Sequence, residues 1–248
     1  MIGIGLDSEK DITVRGLEAV RESDFVYLED YTSRLSVTKD ALETLYGKHI
    51  IPAGRDMIES KSDDILDKAV KSKVSLLIIG DVFSATTHAD IFLRAREKGI
   101  EVKVIHNASI MTAVGATGLE LYKFGRTVSL PYFQRSFEPD SWYRFIKSNR
   151  DMGMHTLLLL DIRKDEGRFM SIGEAIAQIR LIESRRKEGL FSDQLKIVGC
   201  ARIGSDTQKI QFGTMAELEK TEFGPPLHCM IIPGKLHFIE EHMLGQFS

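Results

Sequence analysis

Ser75-Leu76-Leu77-Ile78-Ile79-Gly80-Asp81-Val82-Phe83-Ser84-Ala85-Thr86-Thr87-His88 decides how this chain is read. Its first part is an apolar run of the length a buried strand needs, without the alternation of a strand that has one wet face. Near-continuous apolar strands belong to parallel sheets covered on both faces. The run breaks at Gly80-Asp81 and restarts as a helix, for which Thr86 or Thr87 is the predicted cap. In parallel sheets, ligands sit just beyond the carboxyl ends of the strands. Gly80 permits a tight turn or a close approach there. Asp81 sets a carboxylate at the same edge.

On either side of this strand the same alternation continues. Ile2-Gly3-Ile4-Gly5-Leu6 reads as a short strand running into a glycine turn. Thr13 caps a helix with Val14, Leu17 and Val20 on one stripe, and Phe25 to Leu28 is a second strand. Ala41, Leu42 and Leu45 mark a helix stopped at Gly47, and Ile50-Ile51 a short strand ending at Pro52. Ser62-Asp63-Asp64 opens a helix with Ile65, Leu66, Ala69 and Val70 inward. Downstream, a helix burying Phe92 and Leu93 stops at Gly99, and Val102 to Ile105 is a further strand. Strands alternating with helices of this length mean βαβ units and a parallel sheet.

A boundary is predicted near His106-Asn107-Ala108-Ser109. It gives an N-terminal α/β domain over residues 1–106 and a C-terminal α/β domain over 107–248. The second half opens with a glycine-rich helical stretch from Ile110 to Leu121 and a strand at Thr127–Leu130. A long aromatic and basic loop follows, Pro131 to Pro139, with Tyr132, Phe133, Arg135 and Phe137, and then a helix from Trp142. His155-Thr156-Leu157-Leu158-Leu159-Leu160-Asp161 is the second strongly apolar strand. Ser171 with Glu174 forms a capping box before a helix carrying Ile172, Ala175, Ile176, Ile179 and Ile182 inward. The strands at Leu195–Cys200, Lys209–Phe212 and His228–Ile232 lack long helices between them, so this sheet is expected to be mixed.

Composition narrows the function classes. The 248 residues are 43% hydrophobic and 28% charged, ordinary for a globular protein with a sizeable core. No apolar run approaches the roughly 20 residues that cross a bilayer, and the N-terminus has no signal-peptide pattern. A net charge of −3 gives no broad footprint for nucleic acid. Cys200 and Cys229 show no zinc spacing and read as buried reduced thiols, and the seven histidines show no ligand spacing. No metal is predicted. Gly3-Ile4-Gly5 tempts one towards a dinucleotide fingerprint, but position 8 is serine and the loop is charged, which disfavours an NAD oxidoreductase. His88, just inside its helix, is read as packing or capping.

Gly3-x-Gly5-Leu6 with Lys10-Asp11-Ile12-Thr13, then Gly80-Asp81 with Ala85-Thr86-Thr87-His88, and His106 with Ser109-Ile110, resemble one known family. Tyr122-Lys123-Phe124-Gly125, His155-Thr156, Ala201-Arg202 and Pro233-Gly234-Lys235-Leu236-His237 extend the match along nearly the whole chain. The family is the diphthine synthases, in the tetrapyrrole-methylase class of S-adenosylmethionine-dependent methyltransferases. The resemblance implies two α/β domains, parallel-rich sheet first and mixed sheet second, with the ligand in the inter-domain cleft. It implies a cytoplasmic homodimer that uses S-adenosyl-L-methionine, leaves S-adenosyl-L-homocysteine, and needs no metal, nucleic acid or membrane. The implied reaction is methylation, up to trimethylation, of the amino group of 3-amino-3-carboxypropyl-histidine on translation elongation factor 2. The product is diphthine, in diphthamide biosynthesis.

Carried over by position, the family's cofactor contacts fall on Leu6, Asp81, Ser84, Ser109, Ile110, Leu160, Ile203 and His228. No catalytic base is assigned. Val82 stands where the family usually has proline, and Ser84 where it has an apolar residue, so Ser84 is the loosest of these contacts. A methylase of a precorrin-like tetrapyrrole is the alternative within the class. A non-catalytic nucleotide-binding module is the alternative outside it.

Overall fold

The computed structural model describes residues 1–84, 88–134 and 137–248, so the expected caps Thr86 and Thr87, and Arg135, lie outside the described residues. The chain forms two compact units, Met1–Ala113 and Val114–Ser248.

In the first unit, β1 (Ile2–Gly3), β2 (Phe25–Glu29), β3 (Ile50–Ala53) and β4 (Val74–Ile78) form one sheet in the order β1-β4-β2-β3. Every pairing is parallel. The opening run is thus the inner strand β4, and Leu77 and Ile78 are both fully buried. The strand expected at Val102–Ile105 is reduced to a parallel bridge between Ile105 and Ile2. The physical reason is that its neighbour β1 is only two residues long. Pro52 continues β3 to Ala53, which an edge strand tolerates because one row of its amides has no partner.

The order of these strands locates a switch point. From β1 the chain crosses over β4 to reach β2, whereas from β4 it crosses over β1 to reach Ile105. Right-handed crossovers leaving in opposite directions put their helices on opposite faces of the sheet. The core shows this division. Val20, Leu42 and Tyr46 pack with Ile4, Val26 and Leu77, while Ile65, Leu66, Ile91 and Ala95 pack with Tyr27, Leu76 and Ile78. A crevice therefore opens at the carboxyl ends of β1 and β4. Val14, Val70 and Leu93, expected inward, are exposed instead, because the first two stand at helix ends and Leu93 at the margin of its stripe.

In the second unit, β5 (Val128–Leu130), β6 (Thr156–Leu160), β9 (Lys196–Ala201), β10 (Lys209–Thr214) and β11 (His228–Ile232) form a sheet in the order β10-β9-β11-β6-β5. Only β5 and β6 run parallel, so the sheet is mixed. A hairpin of β7 (Ile162–Arg163) and β8 (Arg168–Phe169) escapes prediction, its strands being too short to show a period. Ile110 to Leu121 is not one helix. An α-turn at Ile110–Ala113 passes into a 3-10 turn at Val114–Thr117, and Gly118 at φ 82° ends it. The Ser171–Glu174 capping box forms, and its helix, Ile172–Arg186, buries all five predicted positions. Cys200 and Cys229 face each other across β9 and β11 as buried free thiols.

Candidate functional site

At the switch point the backbone of β1 and that of β4 meet through two glycines. Gly5 and Gly80 exchange hydrogen bonds, Gly80 N to Gly5 O at 2.6 Å and Gly5 N to Gly80 O at 3.3 Å. Both hold positive φ, 81° and 82°, a region that side chains with a Cβ rarely enter. Beyond Gly5 the chain curls over Asp11, whose Oδ2 accepts from the amides of Leu6, Asp7 and Ser8 at 3.2, 2.7 and 3.1 Å. The amide cradle that a phosphate would need is already filled by the protein's own carboxylate, which removes the dinucleotide reading on structural grounds. Asn107 ties the same loop from beneath, donating to Gly3 O at 3.0 Å and to Asp11 O at 2.9 Å.

Asp81 stands at the other lip, 7% exposed. Its Oδ1 accepts from Phe83 N and Ser84 Oγ, each at 3.3 Å. Its Oδ2 accepts from Asn107 N at 3.0 Å and pairs with His106 Nδ1 at 2.8 Å. Burial pushes this carboxyl up, but the Asn107 amide, the His106 ring and the Phe83 amide outweigh it and hold it below the ordinary carboxylate range. Asp81 thereby joins the loop after β4 to residues 106 and 107. Ser109 completes the lip. It is buried, its Cβ lies 3.8 Å from where a side chain on Gly80 would begin, and its Oγ has no hydrogen-bond partner among the described residues. Leu6, Ser84 and Ile110 are partly exposed around it.

The remaining predicted residues gather at one end of the second sheet. His228 opens β11 opposite Ala201, the last residue of β9. Leu160 ends β6 beside Leu130 of β5, and the pairing of Cys229 with Leu159 brings Leu160 next to His228. Ile203 follows two residues after β9 and is buried. Arg202, between them, holds φ 50°. Its guanidinium offsets that strain by bonding Thr207 O at 2.8 Å, Phe223 O at 2.8 Å and Pro225 O. His228 Nε2 lies 3.2 and 3.1 Å from the carbonyls of Gly224 and Pro225, so that nitrogen carries the proton. Its Nδ1 is buried without a partner among the described residues. Burial holds the imidazole below its ordinary value and therefore neutral. At these strand ends Ser109 Oγ and His228 Nδ1 are buried polar atoms with hydrogen-bonding capacity to spare. Such atoms fit a ligand that offers both polar and apolar edges, as a nucleoside does.

Several motifs behind the family resemblance lie elsewhere. Lys123, Gly125, His155, Gly234 and His237 sit at the opposite end of β6 and β11, around the buried carboxylate of Glu240. Glu240 accepts from Glu120 N at 3.0 Å, His237 N at 2.8 Å, Lys123 Nζ, and His155 Nε2 at 2.8 Å. His155 Nδ1 in turn accepts from Gly234 N at 2.9 Å, which leaves the ring neutral with its proton on Nε2. Gly125 is required because a Cβ there would sit 2.3 Å from Asn149 Oδ1, the side chain that ties Arg126 to Thr156. This end of the sheet is locked by a saturated hydrogen-bond network. His88 is buried at the N-cap of its helix and makes no side-chain capping bond, so of the two expected roles it shows packing and not capping. Asn107 and Asp11 are the organising residues that sequence reasoning missed. Among the described residues no cluster of His, Cys, Asp or Glu is placed to hold a metal, and no helix is long and apolar enough to cross a membrane.

Comparison with known proteins places the chain among relatives. Residues 1–219 match the family model of the tetrapyrrole (corrin/porphyrin) methylases. The chain is 46% identical over 264 residues to the diphthine methyl ester synthase of Dictyostelium discoideum, covering 100% of this chain and 97% of that protein. It is equally 46% identical to the diphthine methyl ester synthase of Schizosaccharomyces pombe, covering 100% and 93%. A crystal structure of a diphthine synthase superposes with a TM-score of 0.91 at 38% identity, covering 100% of this chain and 94% of that one.

Proposed function

The chain belongs to the tetrapyrrole (corrin/porphyrin) methylase family, and on that premise we propose that it methylates the modified histidine of elongation factor 2 in diphthamide biosynthesis. The observation that carries this reading is identity near one half with diphthine methyl ester synthases over the full chain. The relatives' names carry the product one step beyond diphthine. We therefore take the final product to be the methyl ester, made by alkylating a carboxylate oxygen after the amine is fully methylated. The enzyme acts as a cytoplasmic homodimer with S-adenosyl-L-methionine as donor.

When bound, S-adenosylmethionine supplies a methyl group on a sulfonium, which a nucleophile displaces in line. Leu6, Asp81, Ser84, Ser109 and Ile110, and also Leu160, Ile203 and His228, are the residues that would hold it. Ser109 Oγ and His228 Nδ1 are the polar atoms with free capacity for it. Asp81 acts by keeping its loop in place, since its two oxygens already have four protein partners. The buried Leu160 and Ile203 side chains keep water from the His228 edge, which strengthens polar contacts made there. Orientation of this kind contributes through proximity, with reacting atoms held about 3–3.5 Å apart.

Incubation with labelled donor and elongation factor 2 bearing the aminocarboxypropyl group tests the reading. Mass spectrometry of the modified peptide is expected to show four successive methyl additions, the last removed by mild alkali as an ester is. Labelling of a porphyrinoid instead, or of neither substrate, would overturn it.

A further inference from the structure

The mechanism above lacks a proton acceptor, and the Asp81 loop presents one. The Asp81 carboxyl is ionised and can only accept hydrogen bonds, so the 2.8 Å contact to His106 Nδ1 requires Nδ1 to carry the proton. That leaves the lone pair of the neutral ring on Nε2. His106 is 69% exposed in its side chain while Asp81 is 10% exposed, so the buried carboxylate grips one nitrogen and the other faces outwards. A carboxylate that fixes the tautomer and orientation of an imidazole is the standard way to aim a general base. The pair also stands at the carboxyl ends of β1 and β4, the edge that carries Ser109 and Leu6.

We propose that His106, oriented by Asp81, is the base that takes the proton from the substrate ammonium before each N-methylation. This rests on the methyltransferase reading and adds to it a difference between that reaction's two kinds of step. An amine near neutral pH is largely protonated and has no lone pair to offer. His106 Nε2 removes one proton. The freed nitrogen pair forms the N–C bond as the C–S bond breaks, and its electrons stay on sulfur as a neutral thioether. The methylated ammonium enters the next round, and the imidazolium returns its proton to water. A carboxylate is already ionised, so ester formation breaks one C–S bond and forms one O–C bond with no proton to remove. His106 is therefore needed for the amine steps and dispensable for the ester step.

The test compares His106→Gln with the native enzyme on two forms of elongation factor 2, one with the free aminocarboxypropyl amine and one already trimethylated. Amine methylation is expected to fall about 100-fold or more. Ester formation on the trimethylated form should fall at least about tenfold less than amine methylation, the remainder reflecting the lost tie to Asp81. Added imidazole should restore amine methylation in His106→Gly. Nitrogen NMR of the native protein should show the His106 proton on Nδ1, lost from that preference in Asp81→Asn. If the amine and ester steps fall together, or neither falls, His106 is not the base. If the native enzyme methylates neither form, the functional reading fails and this inference with it.

Discussion

Two buried carboxylates, Asp81 and Glu240, are built alike and used differently. Each accepts four hydrogen bonds, two from backbone amides and two from side chains, and one of those side chains is a histidine in each case. Around Glu240 the histidine is fully buried and its second nitrogen is also bonded. Around Asp81 the histidine is exposed on the side away from the carboxylate. A saturated network fixes a structure, whereas one with an outward nitrogen fixes a reactive group and leaves it free to act. The lesson is that a carboxylate's partners matter less than what its partners have left over.

The comparison breaks most sharply at Glu240. Glu240→Ala leaves the buried His155 ring and the amides of Glu120 and His237 without their acceptor, while the partly exposed Lys123 ammonium keeps Lys235 O, and unfolding by denaturant should show a loss of about 3–5 kcal/mol. A loss below about 1 kcal/mol would mean that the cluster is not a lock.

Acid titration sharpens the same point. Burial pushes the Glu240 carboxyl up, but Lys123, the amides of Glu120 and His237, and His155 outweigh it and hold it at about 2, against an ordinary 4.5. The ionised form is thus favoured by folding. Its contribution, about 3 kcal/mol at most, is complete above pH 4.5 and lost as pH falls towards 2. His155 acts in the same direction from higher pH, because burial lowers its value below 6.5 and only the unfolded chain gains that proton. Stability should decline in two stages on acidification, and Glu240→Gln should shrink the lower one, to which Asp81 and Glu183 still contribute. A single stage unchanged in that variant would count against the assignment.

Asp81→Ala is the smallest effect on stability and the clearest on function. It releases two amides and two side chains at a lip that is already partly open, for a cost of about 1–3 kcal/mol. Donor affinity measured by calorimetry should fall at least about tenfold as the loop loses its tie to Asn107. Unchanged affinity would separate the Asp81 loop from the binding site altogether.

Much of this was legible beforehand where the signal is local. The apolar run before Gly80 gave a buried parallel strand, and Ser171 with Glu174 gave a helix start whose five isoleucine and alanine positions are all buried. Thr13 caps its helix through Gly16 N at 3.0 Å, as its position before Val14 suggests. Legibility fails at edges and ends. Ile105 keeps one bridge because its partner strand is two residues long, which no pattern within Val102–Ile105 reveals. The motifs that identify the family were legible too, but not their division of labour. Gly80-Asp81 and Ser109 form the lip proposed as the site, whereas Lys123, His155 and Gly234 gather around the buried Glu240.

By itself the amino-acid sequence determined the alternation of strands and helices, the parallel character of the first sheet and the mixed character of the second. Hydrophobic period and capping are repeated over many neighbouring residues, so no single position has to be placed well. Only the tertiary structure decided which nitrogen of His106 faces outwards and which carboxylate closes the turn after β1. Those answers depend on single polar atoms brought within 3 Å of distant partners: Asp81 holds His106 and Asn107 from 25 and 26 residues away, and Asn107 in turn fixes the Asp11 turn through Asp11 O across 96 residues. A hydrogen bond depends on distance and angle at one atom, and that geometry exists only after the sheets have set their register.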